Sequence, residues 1–103
     1  MIIYNTTFHV ATDVKEQFLE WIKQHYIPAA TSSGHLKKPQ LALIMARNEG
    51  DDGDNYSMQF QVESVDALEQ WYKTSGAMLL SPLGTMFGQK VAGFSTIIGV
   101  IVP

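Results

Sequence analysis

Two segments of the chain alternate between apolar and polar side chains, and this alternation constrains the fold more than any other feature. In residues 2–10 one face holds Ile2, Tyr4, Thr6, Phe8 and Val10, and the other holds Ile3, Asn5, Thr7 and His9. In residues 55–63 one face holds Tyr56, Met58, Phe60 and Val62, and the other holds Asn55, Ser57, Gln59, Gln61 and Glu63. A period of two predicts two strands, each with one face on a core.

A helix is predicted between the first and second strands. At 100° per residue, one arc collects Val14, Phe18, Trp21, Ile22, His25 and Tyr26. Asp13 and Glu16 are spaced as a capping box at the start of this helix. Pro28 lacks an N–H, so the regular helix is expected to end near Tyr26, followed by a turn or a second helical piece.

A second helix is predicted after the alternating segment at 55–63. Ser64 can cap its N-terminus, and an apolar arc runs from Leu68 to Met86. Gly76 and Pro82 interrupt the arc, which predicts two helical pieces that meet between residues 75 and 82. Gly88 is the expected C-terminal cap.

Two more strands complete the pattern. Residues 40–48 and 90–102 are apolar on both faces, and the polar residues 49–54 predict a hairpin loop. The order β-α-β-β-α-β with right-handed crossovers predicts a ferredoxin-like α+β fold. Its four-stranded antiparallel sheet has the order 4-1-3-2, with both helices on one face. The 103 residues form a single domain, 1–103, by size.

The sheet face without helices has a polar centre between apolar edge strands. The central strands place six polar residues there, namely Asn5, Thr7, His9, Ser57, Gln59 and Gln61. Charged residues make up 17% of the chain, below the common ~25%. A large apolar surface in water is a liability, so this face is expected to pack on a second copy. The sequence therefore predicts a homodimer with a cleft between two sheets.

Charge and composition exclude several classes of function. The net charge is −3 and the seven basic residues are scattered, which argues against nucleic-acid binding and against an anionic membrane surface. No apolar run reaches ~18 residues, and the N-terminus lacks a signal peptide, so a cytoplasmic location is expected. The absence of cysteine excludes disulfides, thiol catalysis and cysteine-ligated metals.

The six polar residues of the uncovered face are the candidate small-molecule site. Pockets combine apolar walls with a few convergent polar groups, and these residues could supply the polar part. The alternative is a hydrogen-bonded, partly wet dimer interface. His9 could act as a general base or as an axial haem ligand, and its simpler interpretation is an interface histidine.

His25 is a further candidate ligand contact, because it lies within the apolar arc of the first helix. Its simpler interpretation is a core-edge histidine bonded to a main-chain carbonyl. The spacing of the three histidines, His9, His25 and His35, fits no metal site. The acidic residues of the hairpin lack the EF-hand pattern and are expected to form a solvated loop: Glu49, Asp51, Asp52 and Asp54.

Three stretches of the chain resemble a known family. They are Phe18–Pro28, Tyr56–Phe60 and Phe87–Thr96, and they resemble the family called domain of unknown function 4286. The resemblance covers almost the whole chain and implies a dimeric α/β barrel, in which two ferredoxin-like sheets face each other. Members of that family often have Arg at the position of Ser95, which argues against a polar or anion-binding role there in this chain.

The resemblance implies no activity, and two functions stay open. One is a homodimeric binding or structural module that holds a small apolar ligand or none. The other is a dimeric-barrel enzyme, similar to monooxygenases or isomerases of this architecture, acting on a small apolar or aromatic molecule. No catalytic residue, metal or cofactor is predicted, and haem, which some proteins of that architecture use, has no motif here.

Overall fold

A computed structural model describes residues 1–45 and 52–103 and contains one four-stranded sheet. The strands are β1 (Ile2–Ala11), β2 (Leu36–Ile44), β3 (Gly53–Val62) and β4 (Val91–Gly99). Their order is β2-β3-β1-β4, and every neighbouring pair is antiparallel. This confirms the predicted ferredoxin-like fold with strand order 4-1-3-2.

Two interrupted helical segments cover one face of the sheet. The first consists of α1 (Lys15–Trp21), a π-helical turn (Ile22–Tyr26) and α2 (Ile27–Thr31). The second consists of α3 (Val65–Trp71), a π-helical turn (Tyr72–Gly76) and α4 (Ser81–Phe87). Short 3₁₀ turns at residues 12–14 and 88–90 precede α1 and β4. No helix in the described part of the chain is long and apolar enough to cross a membrane.

The first π turn changes where the first helix ends. The N–H of Ile27 donates to the carbonyl of Ile22, five residues back. Regular α-helical bonding therefore stops at Trp21, earlier than the predicted Tyr26. Pro28 then occupies the first turn of α2, where its missing N–H costs least, and the helical path continues to Thr31. The second helical piece expected after Pro28 is thus present.

Two of the three predicted caps are confirmed. Ser64 accepts a hydrogen bond from the N–H of Ala67 over 3.1 Å and begins α3. Gly88, at a φ of 56°, ends α4 in a conformation that L side chains rarely adopt.

The predicted capping box of Asp13 and Glu16 was wrong, because no side chain caps the start of α1. Asp13 instead accepts a hydrogen bond from Nζ of Lys90 over 2.5 Å. The 3₁₀ turn at residues 12–14 points this carboxylate towards the start of β4. It therefore ties two chain segments together instead of capping a helix.

The core lies between the sheet and the helices. β1 and β3 contribute Phe8, Tyr56 and Phe60, as predicted, and the helices contribute Phe18 and Trp71. The Phe8 and Phe18 rings meet edge to face with centroids 5.1 Å apart. Such contacts add to the burial of the rings and fix the helices on the sheet.

The edge strands differ from prediction at their ends. β2 begins at Leu36, earlier than predicted, because Leu36 is buried in the core and a bulge between Lys37 and Gln40 lets the strand continue past Pro39. Residues 46–48 of the predicted strand, and Glu49 and Asp51 of the loop, lie outside the described residues. β4 ends at Gly99, before the predicted end at residue 102.

Candidate functional site

The strand register brings six of the predicted site residues onto the uncovered face of the sheet. Asn5 lies opposite Gln59, and Thr7 lies opposite Ser57. Gln61 and His9 extend the same rows at either end of β1 and β3. The face thus has the polar centre expected from the sequence.

The polar groups at the centre of this face bond to one another. Nδ2 of Asn5 donates to Oγ1 of Thr7 over 3.1 Å, and Oγ of Ser57 donates to Oδ1 of Asn5 over 2.5 Å. The Asn5 side chain is buried among these neighbours and uses one of its two N–H groups and its oxygen on them. The three side chains therefore form a hydrogen-bonded network within one chain.

His9 lies at the end of the uncovered face, next to the hairpin. Its Nδ1 is 2.9 Å from Oδ1 of Asn55, and its Nε2 is 3.4 Å from Oδ1 of Asp52. Both ring nitrogens thus face oxygen atoms. A metal ligand must offer a nitrogen lone pair, so binding a metal would require His9 to give up one of these contacts.

His25 lies far from the sheet-face residues, and its predicted core-edge position was wrong. Its side chain is exposed, on the outer surface of the first helical segment beside Trp21 and Met86. The π turn is the reason. Its hydrogen bond spans five residues instead of four, so successive residues are separated by a smaller angle about the helix axis than in an α-helix. As a result, Ile22 and Tyr26 take the buried positions.

A cleft on the helix-covered side of the sheet was not predicted. It has a volume of about 660 Å³ and lies between β4 and α3. The helices do not cover the whole of β4, and Ile97 of this strand is 54% exposed. The cleft is lined by Tyr4, Val65, Leu68, Glu69, Tyr72, Lys73, Ser95 and Ile97.

Three hydroxyl groups lie at the sheet end of this cleft. Oγ of Ser95 is 3.0 Å from Oγ1 of Thr6 and 3.2 Å from the hydroxyl of Tyr4. Ser95 and Tyr4 line the cleft, whereas Thr6 is 2% exposed. The expectation that Ser95 has no polar role was wrong, because its side chain connects the other two hydroxyls.

A fourth hydroxyl, that of Tyr26, lies in the core. Tyr26 is buried, and its hydroxyl has no hydrogen-bond partner among the described residues. Burial raises the pKa of the Tyr26 phenol well above its ordinary value, and the neighbouring Tyr4 raises the pKa further. Tyr26 therefore stays neutral and supplies an unused donor inside the core.

The signal for the cleft is present in the sequence but weak. Thr6 is the one hydroxyl residue without a ring on the apolar face of β1, between Tyr4 and Phe8. Its partner Ser95 is 89 residues away, on a strand that is apolar on both faces. Without the register, nothing shows that Ser95 shares the face of Thr6. The described residues also contain no group of three or more His, Cys, Asp or Glu side chains that could hold a metal ion.

Solved structures similar to this chain share its fold at low identity. An EthD family protein from Bacillus halodurans has a TM-score of 0.71 and 14% identity, covering 98% of this chain and 100% of that chain. A point mutant of MhuD, with two manganese protoporphyrin IX molecules bound per active site, has a TM-score of 0.67 and 13% identity, covering 100% and 97%. A dimeric ferredoxin-like protein from an uncultured marine organism has a TM-score of 0.63 and 15% identity, covering 99% and 96%.

The family is shown by the sequence itself. No curated protein matches the chain. The model of the family described as domain of unknown function (DUF4286) matches residues 1–101, and the chain belongs to that family.

Proposed function

We propose that this protein is a homodimeric binding module that holds a small apolar molecule in the cleft between β4 and α3. The observation that carries the proposal is the composition of the cleft. Val65, Leu68 and Ile97 form apolar walls, and the hydroxyls of Tyr4 and Ser95 form a polar end. Its volume of about 660 Å³ lies within the common range of small-molecule sites.

The proposed site differs from the one predicted from the sequence. The uncovered face was expected to supply the polar groups of a pocket. Its central side chains, Asn5, Thr7 and Ser57, are instead hydrogen-bonded to each other. An apolar molecule in the β4–α3 cleft would cover exposed apolar surface such as Ile97, which favours binding there.

The uncovered face is proposed to pair with a second copy of the chain. Phe94 is 65% exposed and Ile98 is 39% exposed, and both flank the polar network on this face. Large exposed apolar side chains on one face of a sheet favour its burial against a partner. The marine protein of the same fold is described as dimeric, which supports a pairing of two sheets as a dimeric α/β barrel.

Haem does not fit the residues of the cleft. The MhuD mutant holds manganese protoporphyrin, and haem iron in proteins is commonly held by histidine, cysteine, methionine or tyrosine. Among the described residues that line the cleft none is a histidine, cysteine or methionine. Its two tyrosines are Tyr4, whose hydroxyl bonds to Ser95, and Tyr72, which is 53% exposed to solvent. His9 lies on the opposite face of the sheet. We therefore propose a module without a cofactor.

Binding can be tested with N-phenyl-1-naphthylamine, a neutral apolar fluorophore. Ile97→Glu places a charge in the cleft and should weaken binding at least about tenfold, or about 1.4 kcal/mol. Phe94→Glu is the matched control on the other face of the same strand and should leave the affinity within about twofold. Loss of binding in Phe94→Glu with retention in Ile97→Glu would place the site on the uncovered face and contradict the proposal.

The same two variants test the dimer. Light scattering after size exclusion should give about twice the chain mass of 11.5 kDa for the wild type and for Ile97→Glu. Phe94→Glu should elute as a monomer, because it buries an unpaired charge in the interface. A wild-type mass near 11.5 kDa at micromolar concentration would show that the sheets do not pair.

One observation favours the alternative of an enzyme acting on a small apolar or aromatic molecule. Four ionisable side chains line the same cleft, namely Tyr4, Glu69, Tyr72 and Lys73. A general acid or base must lie within hydrogen-bond reach of the proton that it transfers, and Tyr4 has such a position at the polar end. Turnover of a bound molecule that Tyr4→Phe abolishes would support the enzyme. Binding without conversion supports the module.

A further inference from the structure

We infer that the ligand of the β4–α3 cleft is a neutral molecule that presents a hydrogen-bond acceptor, such as a carbonyl oxygen, to the hydroxyls of Tyr4 and Ser95. The inference rests on the proposed binding function and names the chemistry of its ligand. It follows from a count of the protons at the polar end of the cleft.

The three hydroxyls of Thr6, Ser95 and Tyr4 have one proton more than their mutual bonds use. Each hydroxyl carries one proton and can accept on its lone pairs. The two contacts, Thr6 to Ser95 and Ser95 to Tyr4, use two of the three protons. One O–H is therefore available to donate to something outside the cluster.

The free donor belongs at the cleft and not at the buried end. If Tyr4 donated to Ser95 and Ser95 to Thr6, the surplus proton would be on Thr6, which is 2% exposed. The small cavity beside Thr6 is otherwise lined mainly by apolar side chains, among them Phe8 and Leu83. A buried donor without an acceptor is unfavourable. The other arrangements place the surplus O–H on Tyr4 or on Ser95, and both line the cleft.

The charges around the cleft indicate a neutral ligand. Glu69 and Lys73 line it together and have opposite charges, and the sheet end has hydroxyls without a cation. A carboxylate placed at the hydroxyls would lose its hydration without gaining a positive partner. A carbonyl needs only one donor, and its apolar body can lie against Leu68 and Ile97.

Two probes of the same shape test the inference, 2-acetonaphthone and 2-ethylnaphthalene, which differ in the carbonyl oxygen. The wild type should bind the ketone about threefold to tenfold more tightly, the range that one hydrogen bond provides. Tyr4→Phe should remove this preference and leave the affinity for the hydrocarbon unchanged. Tyr72→Phe removes a different hydroxyl from the same cleft and should keep the preference.

Ser95→Ala is the second variant and should also reduce the preference, so the inference does not depend on the folding of Tyr4→Phe alone. Equal binding of both probes to the wild type, or an unchanged preference in Tyr4→Phe and Ser95→Ala, would overturn the inference and leave the binding function standing. Binding of neither probe would overturn the binding function itself.

Discussion

The indole Nε1 of Trp71 donates a hydrogen bond to the main-chain oxygen of Ala30 over 2.8 Å in the core. Both residues are buried, Trp71 to 1% exposure, so the bond is shielded from water. It ties the last residue of α3 to α2. The ring of Tyr4 rests against Trp71 with centroids 5.5 Å apart. The same contact therefore supports the polar end of the cleft.

Trp71→Phe should lower the free energy of unfolding by about 2–4 kcal/mol. The change removes the donor to Ala30, leaves its buried oxygen unpaired and creates a cavity. Trp21→Phe is the control, because Trp21 is only half-buried, and it should cost less than about 1.5 kcal/mol. Urea denaturation measures both. A smaller loss in Trp71→Phe than in Trp21→Phe would contradict the structural role of the bond.

Gly76→Ala should destabilise the protein by about 1–3 kcal/mol. A Cβ added at Gly76 would lie 2.3 Å from Cζ3 of Trp71, so the indole would have to move. Gly84 is the matched control, since it lies in α4 with no atom within 4 Å of an added Cβ. Gly84→Ala should be neutral or stabilise by up to about 1 kcal/mol. The melting temperatures of the two variants measure the difference. Equal shifts in melting temperature would exclude the contact with Trp71 as the cause.

Tyr26→Phe should leave the free energy of unfolding unchanged or raise it by up to about 2 kcal/mol. The substitution keeps the ring between Trp21 and Phe60 and removes a buried hydroxyl without a partner among the described residues. A loss of more than about 1 kcal/mol in denaturant would show that the hydroxyl has a favourable contact, such as a buried water.

The alkaline stability of the protein should also depend on Tyr26. Burial raises the pKa of this phenol in the folded protein, whereas the unfolded chain ionises near the ordinary value of 10.0. Stability from this group is therefore full below pH 10 and falls as the pH rises above it. Tyr26→Phe should lose less stability between about pH 9 and 11 than the wild type. If the free energy of unfolding falls equally with pH in the two proteins, the Tyr26 hydroxyl is not buried in the folded state.

Lys90→Gln should raise the pKa of Asp13. The hydrogen bond from Lys90 holds the pKa of this carboxyl below its ordinary value, and the Coulombic attraction acts in the same direction. The pair is exposed, so its effect should weaken with salt. Any stability that it adds is present at neutral pH and is lost as the pH falls through the lowered pKa. An NMR titration of the Asp13 carboxyl measures the change, with Asp66 as the control.

The fold was predictable because two strands alternate cleanly. The register of β1 on β3 places Tyr4 opposite Phe60 and Asn5 opposite Gln59, as the period of two requires. The sequence also identified the residues of the uncovered face. It could not show that Asn5, Thr7 and Ser57 bond to each other, since that depends on side-chain distances across two strands.

The cleft was not predictable for a related reason. β4 is apolar on both faces, so its sequence does not show which of its residues face the helices. Only its pairing with β1 places Ser95 beside Thr6. The π turns were equally hidden, although Pro28 indicated a change in the first helix. His25 was misplaced as a consequence, because the prediction assumed 100° per residue through a turn that does not have it.

The most direct test of the cleft is an NMR experiment that locates 2-acetonaphthone on the folded protein. Ile97 and Ile98 are neighbours in β4 whose side chains lie on opposite faces of the sheet. Intermolecular NOEs from the ketone to the methyl groups of Ile97 and Leu68 are the predicted result. NOEs to the methyl groups of Ile98 and Thr7, without any to Ile97, would contradict it and return the ligand site to the uncovered face.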